Sequence, residues 1–141
     1  MLLIDMTVRP GYAFPEAEDH EIGPKSTRCF IRMVMGPELP AIFVRNCALF
    51  GMDPNTPEDA VQVRFHDYDK DDINVADIMV QIQFSEDVPD KVTRIEIRDA
   101  VFEAIVADFR SHGLGVPNNF IVEVSWGPTH GFGCVNRTFF N

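Results

Sequence analysis

One order of segments occurs twice in this chain: an apolar strand, an amphipathic stretch, a Gly/Pro turn and a second strand. It runs once over residues 29–65 and again over residues 77–126. Two β-α-β units in one small chain predict an α+β fold, with a single sheet carrying both helices on one face. The opposite face of that sheet then lacks cover. Its contacts become a question about assembly and function.

In the first unit, CFIRMVM (29–35) is expected as the opening strand, closed by Gly36-Pro37. ELPAIFVRNCALF (38–50) places Leu39, Ile42, Phe43, Cys47 and Phe50 at helical spacing. Pro40 is tolerated in a first turn, where its missing N–H has no intrahelical partner, and Gly51 suits the residue after the helix. VQVRFH (61–66) alternates, with Val61, Val63 and Phe65 on one side and Gln62, Arg64 and His66 on the other.

In the second unit, residues 77–84 set Ile78, Val80, Ile82 and Phe84 against Met79, Gln81 and Gln83. Ser85, Asp87 and Asp90 are candidate caps for a helix over 91–112. Its expected stripe is Val92, Ile95, Val101, Phe102, Ile105, Val106 and Phe109, with Gly113 as the stop. FIVEVSW (120–126) alternates again, and the tail ends in a strand-like run after a Gly-rich bend. Residues 1–28 read differently. MLLIDMTV has strand character, but Pro10, Gly11, Pro15, Gly23 and Pro24 mark the remainder of this stretch as loop. The expected organisation is therefore an N-terminal arm over 1–28, with room for one added strand, and a folded domain over 29–141.

The strand faces turned away from the helices carry Gln62, Arg64, Met79, Gln81, Gln83, Ile121, Glu123 and Ser125. Lys and Asp are missing from this set, although both are common elsewhere. Such a semi-polar face suits packing against copies of itself better than bare exposure to water. The chain has 141 residues, 45% of them hydrophobic, which is enough for one domain with a sizeable core. Its formal net charge is -10, which repels phosphate backbones and anionic membranes, so neither nucleic acid nor a membrane is an expected partner. No apolar run approaches a membrane span, and MLLIDMTVRP lacks a signal peptide's charged and apolar regions; a soluble, cytoplasmic protein is expected. Cys29, Cys47 and Cys134 show no CxxC spacing and read as reduced packing thiols rather than zinc ligands.

The double β-α-β plan resembles the tautomerase superfamily, the group of macrophage migration inhibitory factor and 5-carboxymethyl-2-hydroxymuconate isomerase. CFIRMVMGP is similar to that family's first strand and its exit, ELPAIFVRNCALFG to its first helix, and Asn136-Arg137-Thr138-Phe139 to its terminal segment. The resemblance covers roughly residues 28–140. It implies a homotrimer whose three sheets form a barrel, with helices outside and sites between subunits. Active members use an amino-terminal proline as base or nucleophile. The matching position here is Thr27 or Arg28; if MLLIDMTVRP is the first strand instead, it is Met1 or Leu2. In both registers the proline is missing.

The candidate substrate-binding residues are Arg28, Arg64, His66, Glu123 and His130, with no metal, no cofactor and no assigned catalytic residue. Arg64 and His66 share a strand face, and Arg28 falls at the pocket mouth of the resembled fold. Arg binds carboxylates bidentately and His moves protons near neutral pH. The plainer alternatives are an Arg64–Glu123 ion pair across a subunit interface, and for His130 a simple bend in GPTHGFG. HDYDKDD fails as a calcium loop, because Asp72 and Ile78 stand where Gly and Glu are needed. The leading expectation is a trimeric isomerase or binder of a small acidic oxo or enol compound. A non-catalytic trimeric scaffold and a monomeric ferredoxin-like domain are the rivals.

Overall fold

Strand β1, Leu2–Val8, lies inside the sheet, paired on both sides. In the computed structural model, which describes residues 2–12, 24–85, 89–127 and 135–140, the sheet has five strands in the order β2-β1-β3-β4-β5. They are β2 (Val61–His66), β3 (Ile78–Phe84), β4 (Asn119–Trp126) and β5 (Val135–Phe140) besides β1. β1 pairs parallel with β2 and antiparallel with β3; β3 pairs parallel with β4, and β4 antiparallel with β5. The two parallel pairs are each bridged by a helical crossover, so two β-α-β units meet back to back along β1 and β3. The α+β, tautomerase-like architecture is as expected. The first unit, however, opens on β1 at residue 2 rather than at 29: the one strand for which residues 1–28 have room is an interior strand of the sheet.

The segment expected as the opening strand is helical. α1 (Pro24–Phe30), a π turn (Ile31–Met35) and α2 (Gly36–Arg45) succeed one another without a gap. The boundary expected between residues 28 and 29 falls inside this run. The reason lies in a stripe repeating every fourth residue: Thr27, Ile31, Met35, Leu39 and Phe43 are all at most 2% exposed. An α-helix advances by about 3.6 residues per turn, so such a stripe drifts off the core unless a turn is widened. The π turn supplies the widening, with Gly36 N–H donating to the carbonyl of Ile31, five residues back. It also sits one turn before Pro37, whose ring crowds the carbonyl four residues earlier in a regular helix. Gly36 lets this helix approach the sheet, since a Cβ there would stand 2.5 Å from Cζ of Phe65.

The second crossover is α3, Lys91–Ser111. Asp90 caps it, accepting from the Thr93 backbone N–H at 2.8 Å, while the Thr93 hydroxyl donates back at 3.1 Å. Its buried stripe is Ile97, Val101, Phe102, Ile105, Val106 and Phe109; Val92, expected in the stripe, is exposed. Both crossovers end on the same device. Gly51 N–H donates to Ala48 and Met52 N–H to Cys47; Gly113 N–H donates to Arg110 and Leu114 N–H to Phe109. Gly51 and Gly113 have φ of 67° and 69°, the left-handed conformation that closes a Schellman motif. Met52 and Leu114 then bury themselves beneath the helix end.

The core fills the space between the helices and one sheet face, with Leu2, Ile4, Met6, Val80, Ile82, Val122 and Val124 beneath it. An aromatic seam crosses it: Phe43 of α2 lies 6.4 Å from Phe84, which stacks on Trp126 at 5.4 Å. Asp77 ties one end of the sheet together. Its carbonyl accepts from Arg9 N–H, its carboxylate from Arg9 Nε at 2.7 Å, and its N–H donates to Asn119. Truncating Ile4, which is fully buried, tests the interior position of β1. Ile4→Ala is expected to lower the unfolding free energy in urea by about 2–5 kcal/mol, and Gly113→Ala by about 1–2 kcal/mol through left-handed strain. A strand lying on the surface as an arm would leave the Ile4→Ala midpoint near wild type.

Candidate functional site

On the sheet face turned away from the helices, four of the five strands align three rows of side chains by their registers. Reading β2, β1, β3 and β4 in order, the rows are Gln62-Leu3-Gln83-Ser125, Arg64-Asp5-Gln81-Glu123 and His66-Thr7-Met79-Ile121. Strand alternation alone puts them on one face, because each partner on the same strand points into the core. The sequence pattern identifies nine of these positions when His66 is counted with the other eight. Leu3, Asp5 and Thr7 escape it, because their strand reads as part of an arm. The clean alternation of LLIDMTV is the signal that could have found them.

Asp5 is the centre of the middle row. Its Oδ1 accepts from Arg64 Nε at 2.8 Å and lies 2.6 Å from His66 Nε2, while Oδ2 accepts from Arg64 at 3.3 Å. The Asp5 side chain is 19% exposed, against 56% for Arg64 and 47% for His66. Burial works to raise the Asp5 pKa, but hydrogen bonds from Arg64 and His66, and their charges, outweigh it and hold the carboxyl below its ordinary 3.8. Asp5 therefore stays a carboxylate that orients two more exposed groups. Because a carboxylate only accepts, His66 Nε2 is the donor of this contact. On the far side of the row, Gln81 Nε2 donates to Glu123 Oε1 at 3.4 Å.

Of the five sequence candidates, the structure brings Arg64 and His66 together and sets Glu123 in the same row with two strands between. Arg64 pairs with Asp5 of its own chain, a partner absent from the interface alternative. Arg28 lies in α1, joined to Asp67 just past the end of β2, and lines a cleft with Cys29, Arg32, Met33 and Phe65 on the helix layer. It does not join the row. His130 lies outside the described residues. In this sheet β1 is the first strand, and it opens on Leu2.

No protein-family model matches the sequence, and no curated protein does either. Among solved structures, N1, a member of the cis-3-chloroacrylic acid dehalogenase (cis-CaaD) family, is similar with a TM-score of 0.50 and 15% sequence identity. The match covers 93% of this chain and 80% of that one. The cis-CaaD family belongs to the tautomerase superfamily. At this identity the likeness is one of fold. Among the described residues, no helix is long and apolar enough to cross a membrane.

The depressed pKa of Asp5 has a consequence for stability. A carboxyl whose folded pKa lies below its unfolded value contributes stability that is complete above the unfolded pKa and is lost as pH falls through the folded one. Asp5→Asn should therefore lower the urea midpoint near neutral pH. The gap to wild type should narrow as the pH is taken from about 5 to about 2. A gap that stays constant across that range would mean that the Asp5 charge is not what Arg64 and His66 stabilise.

Proposed function

We propose that this chain is a tautomerase-like protein that assembles as a homotrimer through its open sheet face. It binds a small acidic oxo or enol compound beside Asp5, Arg64 and His66. The observation that carries the reading is the single carboxylate of Asp5 holding both a guanidinium and an imidazole at one edge of that face. Arg64 engages Asp5 through Nε and one terminal nitrogen. Its remaining N–H donors are left for the carboxylate of a substrate, in the bidentate or forked geometry that arginine favours.

His66 supplies the proton transfer. With Nε2–H directed at Asp5, Nδ1 can take a proton from the carbon next to a carbonyl, and the resulting imidazolium is stabilised by the adjacent carboxylate. Returning that proton to the oxygen completes a keto–enol conversion, with no change in oxidation state. This route asks nothing of an amino-terminal proline; β1 opens on Leu2. Trimer formation is supported by the composition of the face. Leu3, Met79 and Ile121 alternate with amides, and the aspartate in it is neutralised by Arg64. Glu123, held by one long amide contact, is the group on this face best placed to meet a cation from a neighbouring copy.

The scaffold alternative draws on the same Leu2. An assay of phenylpyruvate and 2-hydroxymuconate tautomerisation separates the two readings. Wild type is expected to turn over at least one of them, His66→Ala to lose at least about 100-fold in kcat, in the range of general acid–base catalysis, and Arg64→Ala to act mainly through KM. Equal rates in all three proteins, or no rate above buffer and no ligand-induced rise in Tm, would leave the scaffold. Light scattering tests the assembly: a mass near that of the 16.0 kDa chain would remove the trimer.

A further inference from the structure

On the outer side of the molecule, where the end of α3 passes the start of α2, three ligating side chains converge. Glu38 lies in the first turn of α2; Asp108 and His112 lie one turn apart at the end of α3. One ligand atom from each lies within 4.8 Å of the others. His112 Nε2 is 2.6 Å from Glu38 Oε1 and 3.9 Å from Asp108 Oδ1. The Phe30 ring and the imidazole meet edge to face at a centroid distance of 5.5 Å, fixing the imidazole plane.

A His–Glu ion pair accounts for one of these contacts but leaves Asp108 unexplained. The Asp108 side chain is 9% exposed, and its Oδ2 is buried without a hydrogen-bond partner. A buried polar atom in that condition carries the full cost of its lost hydration, and more when charged. Burial and the nearby Glu38 carboxylate push the Asp108 pKa up, against the opposing pull of His112 and Arg45. The charges facing Asp108 are thus one further carboxylate, one imidazole and the Arg45 guanidinium.

We propose that Glu38, Asp108 and His112 form a binding site for a first-row divalent metal ion such as zinc, clipping the crossover helix of the first unit to that of the second. One imidazole and two carboxylates are a borderline-hard donor set suited to such ions, and no thiolate is present in the cluster to select a softer one. Tetrahedral ligands at about 2.0–2.2 Å from zinc stand about 3.3–3.6 Å apart, so the His112–Glu38 distance must open and the His112–Asp108 distance close, each by about 1 Å or less. Side-chain rotation supplies that. The i, i+4 spacing of Asp108 and His112 already sets both on one helix face. A cleft of ≈ 360 Å³ lined by Ile42, Arg45, Asn46, Asp108 and Ser111 borders the cluster on its Asp108 side.

The test uses the full chain freed of metal with a chelator, titrated with Zn²⁺ by calorimetry and with Co²⁺ by visible absorption. The expected result is one Zn²⁺ per chain, a Co²⁺ spectrum of low coordination number, and a Tm that rises with Zn²⁺. Asp108→Asn and His112→Gln should each weaken Zn²⁺ binding by more than about tenfold and abolish the Tm response. Glu38→Gln, at a more exposed side chain, serves the same purpose if either of the other two fails to fold by circular dichroism. His66→Ala should bind Zn²⁺ as wild type does. Undiminished affinity in the folded cluster variants, no binding at all, or binding lost in His66→Ala instead would overturn the proposal.

Discussion

The pairing of β1 on both of its edges is the constraint on which the rest of this molecule depends. A strand that accepts a parallel neighbour on one side and an antiparallel neighbour on the other has no free backbone edge. It joins the two β-α-β units into one sheet over one core. Its apolar residues, Leu2, Ile4, Met6 and Val8, belong to the one core that lies under both crossovers. The same strand carries Asp5 on its other face. The element that closes the core therefore also brings the carboxylate to Arg64 and His66.

The architecture of the second unit is legible in the sequence because its local signals agree. Asp90 caps, Gly113 stops, β3 and β4 alternate, and the structure keeps all four. The first unit misleads for a physical reason. Gly36-Pro37 looks like the end of a strand, and CFIRMVM has strand composition. A helix passes through both because a widened turn lies just ahead of Pro37 and carries Ile31 and Met35 back onto the core. The four-residue spacing from Thr27 to Phe43 is visible in the sequence. The strand propensity of seven residues outweighs it there. Misplacing the opening strand hides Asp5, and with it the reason Arg64 and His66 stand together.

The site is therefore partly legible. Alternation alone shows that Arg64 and His66 share a face with Glu123. It does not show that β1 and β3 lie between them, since strand order is a long-range property. Likewise Glu38 and His112 are 74 positions apart, and their meeting depends on how two helices cross the same sheet. Of the three residues in that cluster, only Asp108 and His112 carry a local signal, one helical turn apart.

The internal symmetry of the fold sharpens the role of the open face. Asp5 and Gln81 sit at the middle of β1 and β3 and face each other in the register. A twofold through that pair carries Asp5 onto Gln81, Arg64 onto Glu123 and His66 onto Ser125. The ion pair of one half thus corresponds to an amide–carboxylate contact in the other. Backbone and core obey the symmetry, down to the twin glycine-ended crossovers, while the side chains of this face break it. A repeated scaffold that needed only to bury itself would gain nothing from placing its guanidinium and imidazole in one half alone. The asymmetry puts the guanidinium and the imidazole on the edge strand β2 and an acid without an ion-pair partner from the face on β4.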